Sequence, residues 1–207
     1  MFKSRAKKKK MQQEEDVAHV VDLADDKFKR GQFSEAIDQY DVVLKRVPRH
    51  FRALNNKGLA FFALNKFEKS IECYDKALEV RPSALHVKLN KAISLNSKRD
   101  FNGAKSLLDE IIRLTPTNKE ALNARALSEF NVGLDTEGIQ DLKRAIEVDP
   151  CYTMAWNNLG CFYLGLGELG AAIECFDQTL TIDTKNYDAF LLKDKALERL
   201  ERTAKRA

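Results

Sequence analysis

The sequence predicts an all-α fold of stacked antiparallel helix pairs, and three observations carry that prediction. The four prolines, Pro48, Pro82, Pro116 and Pro150, stand 34 residues apart each time. A fixed interval of this length marks a repeat array. Apolar residues within each interval recur at helical spacing, as in Ile71, Tyr74, Ala77 and Leu78. Nine glycines and four prolines in 207 residues are too few for a turn-dense all-β fold. With 44% hydrophobic residues the chain has the apolar content to form a packed core.

Taken in order, the chain opens with a basic stretch. Lys3, Arg5, Lys7, Lys8, Lys9 and Lys10 all fall in residues 1–10. Without these six cations the net charge of +4 becomes −2, so the basic character belongs to a short tail and not to the folded part. Residues 1–16 are expected to be a disordered tail running into the first helix. No apolar run follows the cations, so no ordinary secretory signal is expected. Five units of 34 residues follow, at 17–50, 51–84, 85–118, 119–152 and 153–186.

The columns of this array are chemically consistent. The eighth position holds Ala24, Gly58, Ala92, Ala126 and Gly160, and the twentieth Ala36, Ser70, Ala104, Gly138 and Ala172. Small residues there allow two helices a close approach. The twenty-fourth position is large, with Tyr40, Tyr74, Leu108, Leu142 and Phe176, and fills the space beside them. The break between the helices of a pair falls at Gly31, Asn65, Arg99, Gly133 and Gly167. The second helix ends before each proline, because the residue preceding proline disfavours the α conformation. The fifth unit has Thr184 in place of proline, which suggests a continuous run into the last helix. Residues 187–203 read as a capping helix whose Phe190, Leu191, Ala196, Leu197 and Leu200 cover the end of the fifth unit.

This pattern resembles the tetratricopeptide repeat. Trp156, Leu159, Gly160, Tyr163, Ala172 and Phe176 carry the resemblance most fully, with Leu54, Gly58 and Phe61, and Leu122 and Ala126, keeping parts of it in other units. It covers residues 17–186, about four-fifths of the chain. The resemblance implies a right-handed α-solenoid with the first helix of each pair lining a concave groove. Two columns depart from the family. Lys57, Lys91 and Arg125 stand where leucine is usual, and are read as snorkelling cations paired with helix acids, or else as a row aimed at an acidic ligand. Lys27 and Glu129 replace the usual aromatic, with Phe28 and Phe130 one residue later.

No catalytic constellation emerges. His19, His50 and His86 are far apart, and no metal-binding or phosphate-loop motif occurs. Cys73, Cys151, Cys161 and Cys175 form no C-x-x-C pair and read as reduced thiols of a cytoplasmic chain. Acid pairs such as Glu14–Glu15 and Asp25–Asp26 read as solvated helix faces. Neither a cofactor nor a metal is expected.

By the resemblance, the groove is lined by Asn55, Asn56, Leu59, Phe62, Asn90, Ile93, Asn123, Leu127, Phe130, Asn157, Asn158 and Cys161. A side-chain amide offers donor and acceptor to a peptide backbone, and the adjoining apolar residues accept side chains. The same asparagines also read as plain surface polar residues, and the apolar stripe as inter-helix packing. The expected function is a non-catalytic scaffold or adaptor for a protein or peptide partner. The alternatives are a nucleic-acid-associated factor tethered by its tail, or an accessory subunit docking through its outer helices. Lys7, Lys8, Lys9 and Lys10 suit weak, non-specific polyanion binding. Some family members clamp a chaperone's C-terminal carboxylate. The columns that would do so hold His86 and Asn90, Glu120 and Ala124, or Met154 and Asn158, which do not form that clamp.

Overall fold

A computed structural model describes the backbone of residues 2–205 and the side chains of residues 16–205. Among these residues there are eleven helices and no strand. They are α1 (Phe2–Lys29), α2 (Phe33–Arg46), α3 (Phe51–Ala63), α4 (Phe67–Val80), α5 (Leu85–Ser97), α6 (Phe101–Leu114), α7 (Lys119–Asn131), α8 (Asp135–Val148), α9 (Thr153–Leu166), α10 (Leu169–Ile182) and α11 (Tyr187–Ala204). From α3 onward, each first helix of a pair begins 34 residues after the last, as does each second helix from α2 onward. The stretch expected as a tail is assigned to α1 as backbone from Phe2, while the side chains of Lys7, Lys8, Lys9 and Lys10 lie outside the described residues.

The turn inside each pair uses one backbone device. Gly31, Asn65, Arg99, Gly133 and Gly167 all have φ between 56° and 84°, the left-handed region. That conformation closes the first helix and costs an L-residue about 1–2 kcal/mol, which glycine avoids. Entry into the first helices is set by side-chain caps where the sequence supplies them. His50 Nδ1 accepts from the Ala53 N–H at 3.2 Å, and Asn118 and Asn186 Oδ1 accept from Ala121 and Ala189 at 2.8 and 3.0 Å.

The expectation of a continuous run past Thr184 is corrected. The chain turns between Ile182 and Tyr187 without a proline. Asp183 ends α10 with its N–H bonded to the Thr179 carbonyl, and its side chain accepts from the Lys185 N–H at 3.1 Å. The Asn186 cap then starts α11, so side-chain hydrogen bonds do here what proline does elsewhere.

The chain divides into two compact units, one up to Arg99 and one from Asp100. The third repeat contributes α5 to the first and α6 to the second. In the first unit Val21, Ala24, Ala36, Tyr40 and Val43 form one core, and Leu54, Tyr74, Ala77 and Val87 another. In the second, Leu164, Leu169, Ala172 and Phe176 pack with Ala189 and Ala196 of α11. Burying a ring as completely as Tyr74 or Phe176 contributes about 2–3 kcal/mol. Their partners are glycines. A Cβ on Gly58 would stand 2.5 Å from the Tyr74 ring, and one on Gly160 2.6 Å from that of Phe176.

The capping surface differs from the expected one. Ala189, Leu192 and Ala196 face α10, while Phe190, Leu191, Leu197 and Leu200 are exposed. The helical phase decides this: residues 189, 192 and 196 repeat at i, i+3 and i+7, whereas 190, 191 and 197 fall on other faces.

Candidate functional site

The first helices of the pairs are direct neighbours within each unit, α1 beside α3 beside α5, and α7 beside α9 beside α11. In the first unit the asparagines on these helices form a directed relay. Asn90 donates to Asn55 Oδ1 at 3.4 Å, Asn55 to Asn56 Oδ1 at 2.9 Å, and Asn56 to Asp25 Oδ1 at 2.8 Å. Tyr40 donates its hydroxyl to the same carboxylate oxygen at 2.5 Å, and Arg52 pairs with the other. Burial and the Asp25 charge push the Tyr40 hydroxyl pKa well above its usual range. Asp25 is thus 8% exposed, not the solvated acid the sequence suggests, while its neighbour Asp26 is exposed. A buried carboxylate with these partners explains why α1 carries an acid on its inner face.

Of the apolar candidates in this unit, Leu59, Phe62 and Ile93 are all half-buried. Leu59 packs on the cluster of Leu54 and Tyr74, and the Phe62 ring lies 5.6 Å from that of Phe67. In the second unit Asn158 donates to Asn123 Oδ1 at 2.8 Å. Asn157 is half-buried, with its Oδ1 shielded from solvent and without a hydrogen-bond partner among the described residues. Leu127, Phe130 and Cys161 are half-buried, with Phe130 stacked on Phe162 at 4.1 Å between ring centroids. Asn55 and Asn123 are the two of the twelve sequence candidates that are buried, at 8% and 4% exposure.

The cations at the unusual column are bound internally. Lys57 meets Asp41, Lys91 meets Asp75 and Lys193 meets Asp177, each at 2.5 Å and each pair separated by 16 residues. Arg125 meets Asp109 at 2.7 Å in the same way, and grips Asp141 with two bonds of 2.6 and 2.8 Å. These acids hold the Arg125 guanidinium pKa further above its usual range. The cations therefore join successive helices and do not form a free row for an acidic ligand. The junction between the fourth and fifth repeats breaks the pattern on both sides at once, with Lys143 in the acid column and Leu159 in the cation column. There α8, α9 and α10 border an open cavity of about 590 Å³, which the sequence reading does not anticipate.

The cysteines and histidines described beside this arrangement are held in packing and capping roles. Burial raises the thiol pKa of Cys73 and Cys175 to about 11, and raises that of Cys161, which opposes nucleophilic use. His50 caps α3 and His86 packs edge-on to Phe51 at 5.9 Å. Among the described residues no His, Cys, Asp and Glu are grouped to hold a metal ion. No described helix is long and apolar enough to cross a membrane.

Comparison with known proteins agrees with this architecture. The tetratricopeptide repeat family matches residues 51–84 and, through a second model of the same repeat, residues 142–174. The chain is 24% identical over 212 aligned residues to Hsp70-Hsp90 organizing protein 3 of Arabidopsis thaliana, covering 84% of this chain and 38% of that protein. It spans well under half the length of the curated relatives it matches. Among solved structures, PilW, a type IV pilus biogenesis factor, superposes with a TM-score of 0.81 at 20% identity over 89% of this chain and 86% of that one. MamA from Desulfovibrio magneticus RS-1 does so with a TM-score of 0.71 at 18% identity, over 82% and 96%. At such identities the likeness is one of fold.

Proposed function

We propose that this chain, a tetratricopeptide repeat protein, is a non-catalytic interaction scaffold that receives a partner segment against the first helices of its repeats. One observation carries the reading: the apolar residues Leu59, Phe62, Ile93, Leu127, Phe130 and Cys161 remain half-buried at recurring positions of those helices. Apolar surface that the fold itself leaves partly wet is what a partner's side chains bury. The asparagines beside it hold one another in fixed orientation, and each amide retains capacity beyond the one bond it donates. A preset polar row lowers the ordering cost of gripping an extended backbone. The proposed compartment is the cytoplasm, which suits four free cysteines. Weak polyanion binding through Lys7, Lys8, Lys9 and Lys10 is a separate property that deleting residues 1–10 removes. Likeness to a chaperone-organizing protein brings no carboxylate clamp with it, since Ala124 is buried and Met154 is uncharged at the columns concerned.

The test is affinity capture from the source lysate, followed by calorimetry with the partner so identified. Ile93→Asp and Leu127→Asp each place a charge among apolar contacts and are expected to weaken binding at least about ten-fold, with unchanged circular dichroism melts. Deleting residues 1–10 is expected to leave it intact. Normal binding by both aspartate variants overturns the proposal. If either variant melts early, the Ile93→Ala and Leu127→Ala pair supplies the affinity measurement.

A further inference from the structure

The cavity bordered by α8, α9 and α10 lies wholly within the second unit and belongs to none of the residues assigned above to partner binding. Its wall on α9 is aromatic. Trp156 and Tyr163 stand seven residues apart, two helical turns, with the buried Leu159 between them. The Trp156 Nε1 donates to the Pro150 carbonyl at 2.9 Å, so the indole offers a ligand its π-face and not its N–H. Carboxylates come from the other two helices, Glu147 of α8 and Glu174 of α10. Both are exposed, and neither forms an ion pair among the described residues. Asp177, also at the cavity, is already neutralised by Lys193 at 2.5 Å. Lys143 is the lone cation of the lining, so two unpaired acids outweigh it.

The origin of the cavity is local. At the other junctions an aspartate and a cation 16 residues on bridge adjacent helices. Here Lys143 and Leu159 cannot make that bridge, and the space between the helices stays open without the ion pair.

We propose that this cavity receives an arginine side chain of a partner protein, its guanidinium stacked on Trp156 or Tyr163 and held by Glu147 and Glu174. An aromatic face attracts a cation through the ring quadrupole, and indole does so best. A planar guanidinium stacks on such a face and presents forked donors to a carboxylate, which an ammonium does not match. The volume is of the size ligand sites use, about 300–1,000 Å³, enough for the side chain and its flanking backbone. An acidic side chain would meet the two unpaired carboxylates, and an uncharged one would offer them no charge-assisted hydrogen bond.

Trp156 is the single tryptophan of the chain, so its emission reports on the site directly. The probes are capped pentapeptides identical but for a central arginine, lysine, citrulline or glutamate, titrated into the full chain. The arginine peptide is expected to change the emission saturably and to bind at least ten-fold tighter than the citrulline and glutamate peptides. Its affinity should fall as salt is raised. The double variant Glu147→Gln, Glu174→Gln alters exposed side chains and is expected to lose that preference at least ten-fold while keeping the wild-type melt. Ile93→Asp, the probe of the separate first-helix proposal, should leave the titration unchanged, so each proposal can fail alone. Equal response to arginine and citrulline overturns the inference, as does an unsaturable response to every peptide. Tighter binding of lysine than arginine also overturns it, in favour of a simple ammonium site.

Discussion

Two junctions of the second unit answer the same packing problem differently. Where α7 meets α6 and α8, Arg125 joins Asp109, Asp141 and Glu129, with Lys105 and Arg144 around them. Two of those acids, Glu129 and Asp141, are 3% exposed. Where α9 meets α8 and α10, Leu159 takes the place of the cation and a cavity takes the place of the bridge. The difference teaches that a repeat column is half of a pair. An aspartate persists in one column while a cation stands 16 residues later, and both change together when one does. The ionic junction gains connection between helices at the cost of burying charge, and the open one keeps a wet, addressable surface.

The sharpest break in that contrast is Arg125→Met. It leaves Asp141 and Glu129 buried without their principal cation and is expected to destabilise the protein by about 3 kcal/mol or more. Lys143→Met, at the open junction, should stay within about 0.5 kcal/mol because no internal partner depends on it. Urea unfolding of both variants reads the difference. Equal costs would show that the ion pairs do not distinguish the junctions.

Next in size is Gly160→Ala, which tests the apolar side of the open junction. The new Cβ would press into the Phe176 ring at 2.6 Å. Overpacking costs roughly 1–3 kcal/mol against about 1 kcal/mol gained in helix propensity, so a net loss of up to about 2 kcal/mol is expected. Gly170→Ala is the control, since nothing stands within 4 Å of the position. It should be neutral or slightly stabilising by the same urea measurement. A stabilised Gly160→Ala would mean the ring moves aside freely.

A smaller loss is expected in the first unit, where the same pairing recurs nearer to solvent. Lys57 is 16% exposed and its partner Asp41 44%. A double-mutant cycle of Lys57→Met and Asp41→Asn should give a coupling of about 0.5–1 kcal/mol, reduced by salt. Zero coupling would leave the recurrence of the pair without an energetic basis.

Much of this was legible in the sequence, because a 34-residue period fixes every element at once. The turn at Arg99 could be placed from Gly31 and Gly133 although arginine itself signals no turn. The cations at 57, 91 and 125 could be expected to meet acids, since their column repeats in step with the aspartates. What could not be read depends on contacts between neighbouring helices. That Asn90, Asn55 and Asn56 bond one another follows from side-chain orientations across α3 and α5, which spacing does not encode. The burial of Asp25 depends on Tyr40 of α2 and on Asn56 and Arg52 of α3 arriving from two other helices. Phe190, Leu191 and Leu197 look like cap residues by composition, and only the phase of α11 against α10 shows otherwise. The cavity at Trp156 had a visible sign, the joint change at positions 143 and 159. The family likeness, which reads Trp156 and Leu159 as packing residues, draws attention away from it.

The smallest effect is expected at Glu129, and its sign is opposite to the rest. Glu129 lies in the ionic junction with Lys105 at 3.4 Å and Arg125 at 3.6 Å from one oxygen, while the other, Oε2, is buried without a hydrogen-bond partner among the described residues. Burial, and then the nearby Asp141 charge, raise its carboxyl pKa above the ordinary glutamate value despite the two cations. A folded-state pKa above the unfolded one means that the folded protein holds this proton more tightly. The corresponding stability is complete below the unfolded pKa and is lost as pH rises through the raised one. At neutral pH the charged Glu129 is therefore a net burden on the fold. Glu129→Gln, which keeps the shape and does not titrate, should be more stable than wild type at about pH 7. The two should converge as pH falls towards the ordinary glutamate range, since wild type then recovers the proton. Urea midpoints of both proteins between about pH 4 and pH 8 measure this directly. A wild-type advantage that grows with pH would show instead that the contacts to Arg125 and Lys105 outweigh burial. The ionic junction would then be the stronger of the two for its charges and not in spite of them.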